Sequence, residues 1–335
     1  MTGKEGLYWE KKGRSVQCKL CPHFCFLKVN ETGKCHVRKN IDGKLISLVY
    51  ARPCSLALDP IEKKPLYHFL PGEKALSIAT AGCNLSCGFC QNWEISQCSP
   101  DKIRSLSLKA EDIIKEAKEN KARIISYTYT EPTIFYEYML DIAKLAKKAR
   151  IKNATVTNGF INPEPLNELC KYLDASNIDL KSIQPEFYRH VCGARLEPVL
   201  EAIKIMHKKG VWIELTNLLI PGLNDSIEDI NKLVDWVRKL SRDIPLHFTA
   251  FYPTYKMLNL PPTSKEILKK ARRIALSKGL HYVYTGNVQD DEGNNTYCPN
   301  CKKMLIKRNG FLIIENNIKK GECPNCDEKI AGVWK

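Results

Sequence analysis

Apolar residues recur along this chain in two alternating rhythms. Between Gly72 and Gly286, short apolar runs give way to longer stretches in which apolar residues return every three or four positions. The short runs predict strands at Ala75–Thr80, Arg123–Tyr127, Asn153–Thr157, Ser176–Leu180, Trp212–Leu219, Leu246–Phe251 and His281–Tyr284. The longer stretches predict helices at Lys109–Asn120, Thr133–Arg150, Pro163–Tyr172, Leu196–Lys209, Ser226–Leu240 and Ser264–Lys278. In Lys109–Asn120, for example, Ala110, Ile113, Ile114 and Ala117 share one face and charged residues fill the other. Strands separated by helices run parallel through right-handed crossovers, so the expected class is α/β: a (β/α) barrel, partial rather than closed.

The flanks lack this rhythm. Residues 1–71 offer one short strand at Leu45–Tyr50 and a loop broken by Pro53, Pro60, Pro65 and Pro71. Residues 287–335 drop the alternation again. The expected organisation is an N-terminal Cys-rich segment (1–71), a core barrel (72–286) and a C-terminal metal-binding tail (287–335). No apolar run approaches the ~18–20 residues of a membrane helix. Met1–Gly13 is charged and mixed rather than basic and then apolar, as a signal peptide would be. The expected location is the cytoplasm, with no membrane partner.

Composition changes this picture through cysteine. Fifteen cysteines in a reducing compartment read as metal ligands, not as a disulfide framework. Eleven fall into three groups: Cys18/Cys21/Cys25/Cys35, Cys83/Cys87/Cys90 and Cys298/Cys301/Cys323/Cys326. Cys54, Cys98, Cys170 and Cys192 stand alone and read as small apolar residues. The formal charge is 52 − 37 = +15. Metal-bound thiolates would lower it to about +10, still a balance that favours anionic partners such as nucleic acid.

The central group, Cys83-Asn-Leu-Ser-Cys87-Gly-Phe-Cys90, follows directly on the first core strand, where barrel enzymes place their chemistry. Three thiolates can hold three corners of a cubane and leave the fourth iron open to a small molecule. Gly82 and Gly88 let the loop wrap such a body. Glu131, Asn158, Asp179 and Lys181 follow later strands and should reach the same mouth. The C-terminal group, two Cys-Pro-Asn-Cys knuckles, has the pattern of a zinc ribbon, with iron as the second choice. The N-terminal group suits either zinc or an auxiliary [4Fe-4S] cluster; His23 and His36 could replace a ligand, although surface histidines are the commoner case.

Cys-x3-Cys-x2-Cys with Phe89 before its last cysteine resembles the signature of radical S-adenosylmethionine enzymes. The resemblance implies a [4Fe-4S] cluster that cleaves S-adenosylmethionine to a 5′-deoxyadenosyl radical. It implies that Glu131 accepts from the methionyl ammonium and that Asp179 and Lys181 contact the cofactor. It also sets Asn158 at the end of strand three and Leu219–Asp225 on the adenine side. Tyr129 and Thr130 stand where the family has two glycines. Three further stretches, Asp59–Phe69, Cys90–Ser96 and Tyr284–Asn287 with Asn295–Cys301, resemble the radical enzyme of the AmmeMemoRadiSam system, which is similar to pyruvate formate-lyase activating enzyme. That implies Memo-like and AMMECR-like partner proteins and an electron donor such as flavodoxin or ferredoxin. His247-Phe-Thr-Ala-Phe-Tyr-Pro253 departs from the His-bearing segment expected of glycyl-radical activases.

The expected function is therefore radical chemistry on an unidentified substrate, with glycyl radical enzyme activation as one form of it. A second class is a non-catalytic, metal-stapled nucleic-acid binder, based on the charge and on basic segments such as Lys265–Arg273. It gives Glu131, Asp179 and Lys181 no role.

Overall fold

In the computed structural model, which describes residues 3–335, the seven core strands form and lie side by side in chain order. They are Lys74–Ala79, Ile124–Tyr127, Lys152–Thr157, Ala175–Asp179, Trp212–Leu219, Leu246–Ala250 and Val283–Gly286. Every junction between them is parallel. Ile124–Tyr127 and Leu246–Ala250 are buried at every position, as expected of parallel strands covered by helices. Helix Ala110–Glu119 buries Ala110, Ile113, Ile114 and Ala117, and each isoleucine contributes about 1.5–3 kcal/mol. Ser226 and Ser264 cap the helices Ile227–Leu240 and Lys265–Ser277 by accepting from Asp229 N and Ile267 N, typically worth about 1 kcal/mol each.

The sheet holds an eighth strand. Ser55–Pro60 pairs antiparallel with Lys74–Ala79, inside the stretch expected to be a proline-broken loop. Its burial is weak and irregular, and Pro60 ends it, so no clear period-2 signal marks it. The sheet stays open between Ser55–Pro60 and Val283–Gly286, which makes it a partial barrel.

The N-terminal region is also more ordered than its sequence pattern implies. The expected strand Leu45–Tyr50 is instead Lys44–Ser47, the centre of a three-stranded antiparallel sheet with Lys4–Glu5 and Arg38–Ile41. Trp9–Lys12, Ser15–Cys18 and Phe26–Leu27 form a second one. Strands of two to four residues are too short to show a hydrophobic period. This region docks on helix Tyr136–Lys148 through a buried ion pair. Arg38 Nη1 donates to both carboxylate oxygens of Glu137 at 2.9 and 3.0 Å, and Nη2 donates to Leu7 O.

The C-terminal residues form a third small sheet, Thr296–Tyr297, Met304–Asn309 and Leu312–Asn316. It meets the barrel at the N-terminal ends of the strands. There, buried Glu214 accepts from Tyr67 N, His68 N, Trp212 Nε1 and His247 Nε2. Arg308 of the small sheet donates to Thr296 Oγ1 and Tyr67 O. This polar knot seals the floor and leaves the opposite mouth for chemistry. Among the described residues, no helix is long and apolar enough to cross a membrane.

Candidate active site

The loop after Lys74–Ala79 opens on Gly82, at a φ of +96°. A Cβ there would lie 2.5 Å from Cys35 O, so only glycine allows the N-terminal region to pack this closely behind the cysteines. The loop is strapped from outside by the turn Tyr188–Cys192. Ser86 N donates to Cys192 O and Gly88 N to Val191 O, while Gly88 O accepts from Lys256 N.

Cys83, Cys87 and Cys90 border one cavity of about 450 Å³ together with Glu131, Asn158, Asp179 and Lys181. Its size is that of a small-molecule site. The wall is thus assembled from the ends of four consecutive parallel strands. Burial pushes the thiols of Cys83 and Cys90 up. The neighbouring Cys192 thiol draws Cys87 down, against burial, with Lys181 helping. Cys192 is buried in the apolar core, as its reading as a small apolar residue expects, and it holds the cysteine loop through its carbonyl. It lies behind the loop and off the cavity wall. A cluster bound there would take all three as thiolates. Their sulfurs do not converge as the ligands of one ion would.

Glu131 ends the Tyr127–Glu131 turn and is buried. Its Oε1 accepts from Thr133 N, Thr133 Oγ1 and Thr157 Oγ1, whereas Oε2 accepts only from Asn158 N. One oxygen is saturated and the other keeps a lone pair. Asn158 is more committed: its Nδ2 donates to Asn84 Oδ1 at 2.9 Å and approaches Cys83 Sγ at 3.8 Å. It braces the cysteine loop. Asp179 Oδ2 accepts from Lys181 Nζ at 2.9 Å, and that ammonium sits 5.6 Å from the Phe89 ring centroid. Burial opposes the Lys181 charge, but Asp179 and the neighbouring thiols hold its pKa above the usual lysine range. Leu219–Asp225, expected on the adenine side, contributes nothing to the wall; Thr216 and Leu218 of that strand do. Asn224 instead clasps the loops, with Nδ2 donating to Lys181 O and Leu218 O.

Tyr129 is a site residue that sequence pattern alone does not mark. It holds a left-handed φ of +63°. Its hydroxyl donates to Asp59, which also binds Lys63 and Lys64. Asn92 Nδ2 fastens its carbonyl. Tyr129, Lys63 and Lys64 all border the cavity. The signal for them is the Asp59–Phe69 stretch together with the missing glycine.

The other cysteine groups differ from each other. The sulfurs of Cys298, Cys301, Cys323 and Cys326 all lie within 4.8 Å, with Cys298–Cys326 at 3.6 Å and Cys301–Cys323 at 3.7 Å. The Lys303 amide draws the Cys301 thiol down to about 6, whereas burial pushes Cys298 up to about 12. Cys18, Cys21, Cys25 and Cys35 border a second, small cavity without such convergence. His23 borders it too, but its Nε2 is bonded to Asn84 O at 2.7 Å, and His36 lies off its wall.

Comparison with known proteins agrees with this geometry. The Radical SAM superfamily profile matches residues 77–237. The chain belongs to this superfamily. It is 46% identical over 331 residues to an uncharacterized protein of Methanocaldococcus jannaschii, covering 98% of each. It is 26% identical over 212 residues to the pyruvate formate-lyase-activating enzyme of Clostridium pasteurianum, covering 59% of this chain and 87% of that one. The solved radical SAM methyltransferase of Sphaerobacter thermophilus shares the fold, with a TM-score of 0.53 at 15% identity over 86% of this chain and 77% of that one. As a radical SAM enzyme the chain calls for a [4Fe-4S] cluster and S-adenosylmethionine, and the three-thiolate donor set fits. The non-catalytic nucleic-acid reading is thereby set aside.

Proposed function

We propose that this radical SAM enzyme cleaves S-adenosylmethionine reductively at the cavity bordered by Cys83, Cys87 and Cys90, and acts on its substrate by hydrogen abstraction. When bound there, a [4Fe-4S] cluster supplies the electron that splits the sulfonium into methionine and a 5′-deoxyadenosyl radical. The protein's part is to bind, orient and exclude water. The three thiolates leave one position for the amino and carboxylate groups of the cofactor. Glu131 Oε2, with its spare lone pair, accepts from the methionyl ammonium. Lys181, oriented by Asp179, donates a charge-assisted hydrogen bond, and Asn158 keeps the loop in register. What carries the reading is the convergence of these seven side chains on one cavity wall. In the same reading zinc occupies the C-terminal quartet. A flavodoxin or ferredoxin delivers electrons, and Memo-like and AMMECR-like proteins are partners in the overall reaction.

The test is anaerobic reconstitution with iron, sulfide, a reductant and S-adenosylmethionine. Release of 5′-deoxyadenosine is expected, and Cys87→Ala should abolish it. Fully clustered protein that binds the cofactor yet releases only S-adenosylhomocysteine would replace radical chemistry by methyl transfer. Similarity to a pyruvate formate-lyase-activating enzyme favours glycyl-radical activation as the specific reaction. Against it, His247 is bonded to Glu214 at the floor and off the cavity wall.

A further inference from the structure

We propose that Cys18, Cys21, Cys25 and Cys35 hold a second [4Fe-4S] cluster, and that this cluster relays electrons to the site at Cys83, Cys87 and Cys90. The chain supplies its own standard of comparison. Four thiolates on one ion, with bonds of about 2.3 Å, stand about 3.8 Å apart along the edges of a tetrahedron. The C-terminal quartet meets that geometry at 3.6 and 3.7 Å. Among the described residues it is the one group of three or more potential ligands whose atoms all lie within 4.8 Å. The N-terminal sulfurs border a common cavity, but no three of them lie within 4.8 Å of one another. Ligands that share a cavity without converging fit a body with its own width, one thiolate to each corner of a cubane.

A second observation marks the cavity as the site of a thiolate-bound centre. Arg38 borders this cavity and is 2% exposed, and its Nε has no hydrogen-bond partner. An orphaned buried donor of this kind costs roughly 1–3 kcal/mol unless something accepts from it. A four-thiolate cubane offers sulfur acceptors and a net negative charge beside it. With the His23 ring engaged by Asn84 O, the ligand set is four thiolates.

Position supplies the role. Cys35 O packs against Gly82, the residue before Cys83. His23 is bonded to the residue after it. Asn84 borders the N-terminal cavity, while Cys83 and Leu85 border the catalytic one, so a single stretch of backbone separates the two. Cys18 and Cys35 are buried, whereas Cys21 and Cys25 are half-buried toward the surface. One electron from a low-potential protein donor enters at that outer edge and takes the second cluster from the 2+ to the 1+ state. The same electron then passes inward, returning the second cluster to 2+ and reducing the first. No proton moves and no further reactant is needed.

Metal analysis of the full reconstituted chain tests the site directly. It should hold about eight irons, eight sulfides and one zinc. About four irons and two zincs would overturn the proposal. The variant Cys83→Ala/Cys87→Ala/Cys90→Ala should retain about four irons and a paramagnetic signal after reduction; a variant without iron would likewise overturn it. For the relay, the fast phase of reduction of the catalytic cluster by ferredoxin should be lost in Cys21→Ser/Cys25→Ser, while reduction by dithionite persists. An unchanged fast phase would refute the relay. Should that variant not fold, Phe24→Asp/Phe26→Asp on the exposed edge beside Cys25 tests donor entry with both clusters intact, and an unchanged fast phase there counts equally against the relay. The relay presupposes the radical reading, but the metal count does not. Eight irons without 5′-deoxyadenosine would sink only the proposed function.

Discussion

Replacing Lys181 by methionine removes a charge while preserving the shape of the site. The ammonium is 2.9 Å from Asp179 Oδ2, and the side chain is 12% exposed against 35% for Asp179. Methionine keeps the apolar stem that runs past Phe89. The abandoned Asp179 carboxylate can hydrate, so the fold should lose on the order of 1 kcal/mol, well short of the roughly 3–5 kcal/mol seen when a fully buried pair is broken. Cofactor binding should suffer more. A charge-assisted hydrogen bond is worth about 1.5–3 kcal/mol, so affinity for S-adenosylmethionine should fall about tenfold to a hundredfold. The assay is equilibrium titration of the oxidised, reconstituted protein, with iron content and melting temperature measured on the same samples. Asp179→Asn should weaken binding in the same direction, because it frees Lys181 to leave its position. Affinity within about twofold of the unsubstituted protein, with iron content intact, would refute the role given to this pair. Loss of iron together with affinity would show that Lys181 supports the cysteine loop instead.

Cys301→Ser or Cys323→Ser should release about one zinc and loosen the tail, since such sites can contribute on the order of 10 kcal/mol to a small module; atomic absorption and limited proteolysis check this, and the iron content should not change. Glu214→Ala leaves Tyr67 N, His68 N, Trp212 Nε1 and His247 Nε2 without their acceptor, and denaturant titration should show a loss of at least about 3 kcal/mol. Burial pushes the Glu62 carboxyl up from 4.5 to about 7, and its Oε2 has no partner. A carboxyl raised on folding favours the native state less as pH climbs from 4.5 through 7. Glu62→Gln should therefore match the unsubstituted protein near pH 4.5 and exceed it by up to about 3 kcal/mol above pH 7, as read from denaturation at each pH.

The barrel core is legible because its strands are almost wholly buried and its helices carry one-sided apolar faces, so period alone separates them. Trp212–Leu219 has the same bounds in pattern and structure, and the other core strands differ by one or two residues at their ends. The flanks are not legible in this way. Lys4–Glu5 and Phe26–Leu27 are two-residue strands held by their partners, and nothing local marks them. The cysteine spacing points to three metal groups, but spacing does not report the distance between sulfurs. Cys192 shows the limit most clearly. It has no cysteine near it in sequence, and only the turn Tyr188–Cys192 brings it to Cys87.

The presence of Tyr129 and Thr130 where the resemblance implies two glycines has a physical reason. A left-handed residue other than glycine costs roughly 1 kcal/mol or more, so the tyrosine must return something glycine cannot. Its hydroxyl binds Asp59, and Asp59 holds Lys63 and Lys64, so the strap links the antiparallel edge strand to the loop that carries Glu131. Thr130 adds a second tie, donating from Oγ1 to Thr80 O at the root of the cysteine loop. Lys63, Lys64 and Tyr129 share the cavity wall with Glu131, Asn158, Asp179 and Lys181, the residues that the proposed function sets against the cofactor. A fold shared at 26% identity with an activating enzyme does not by itself carry that enzyme's substrate over.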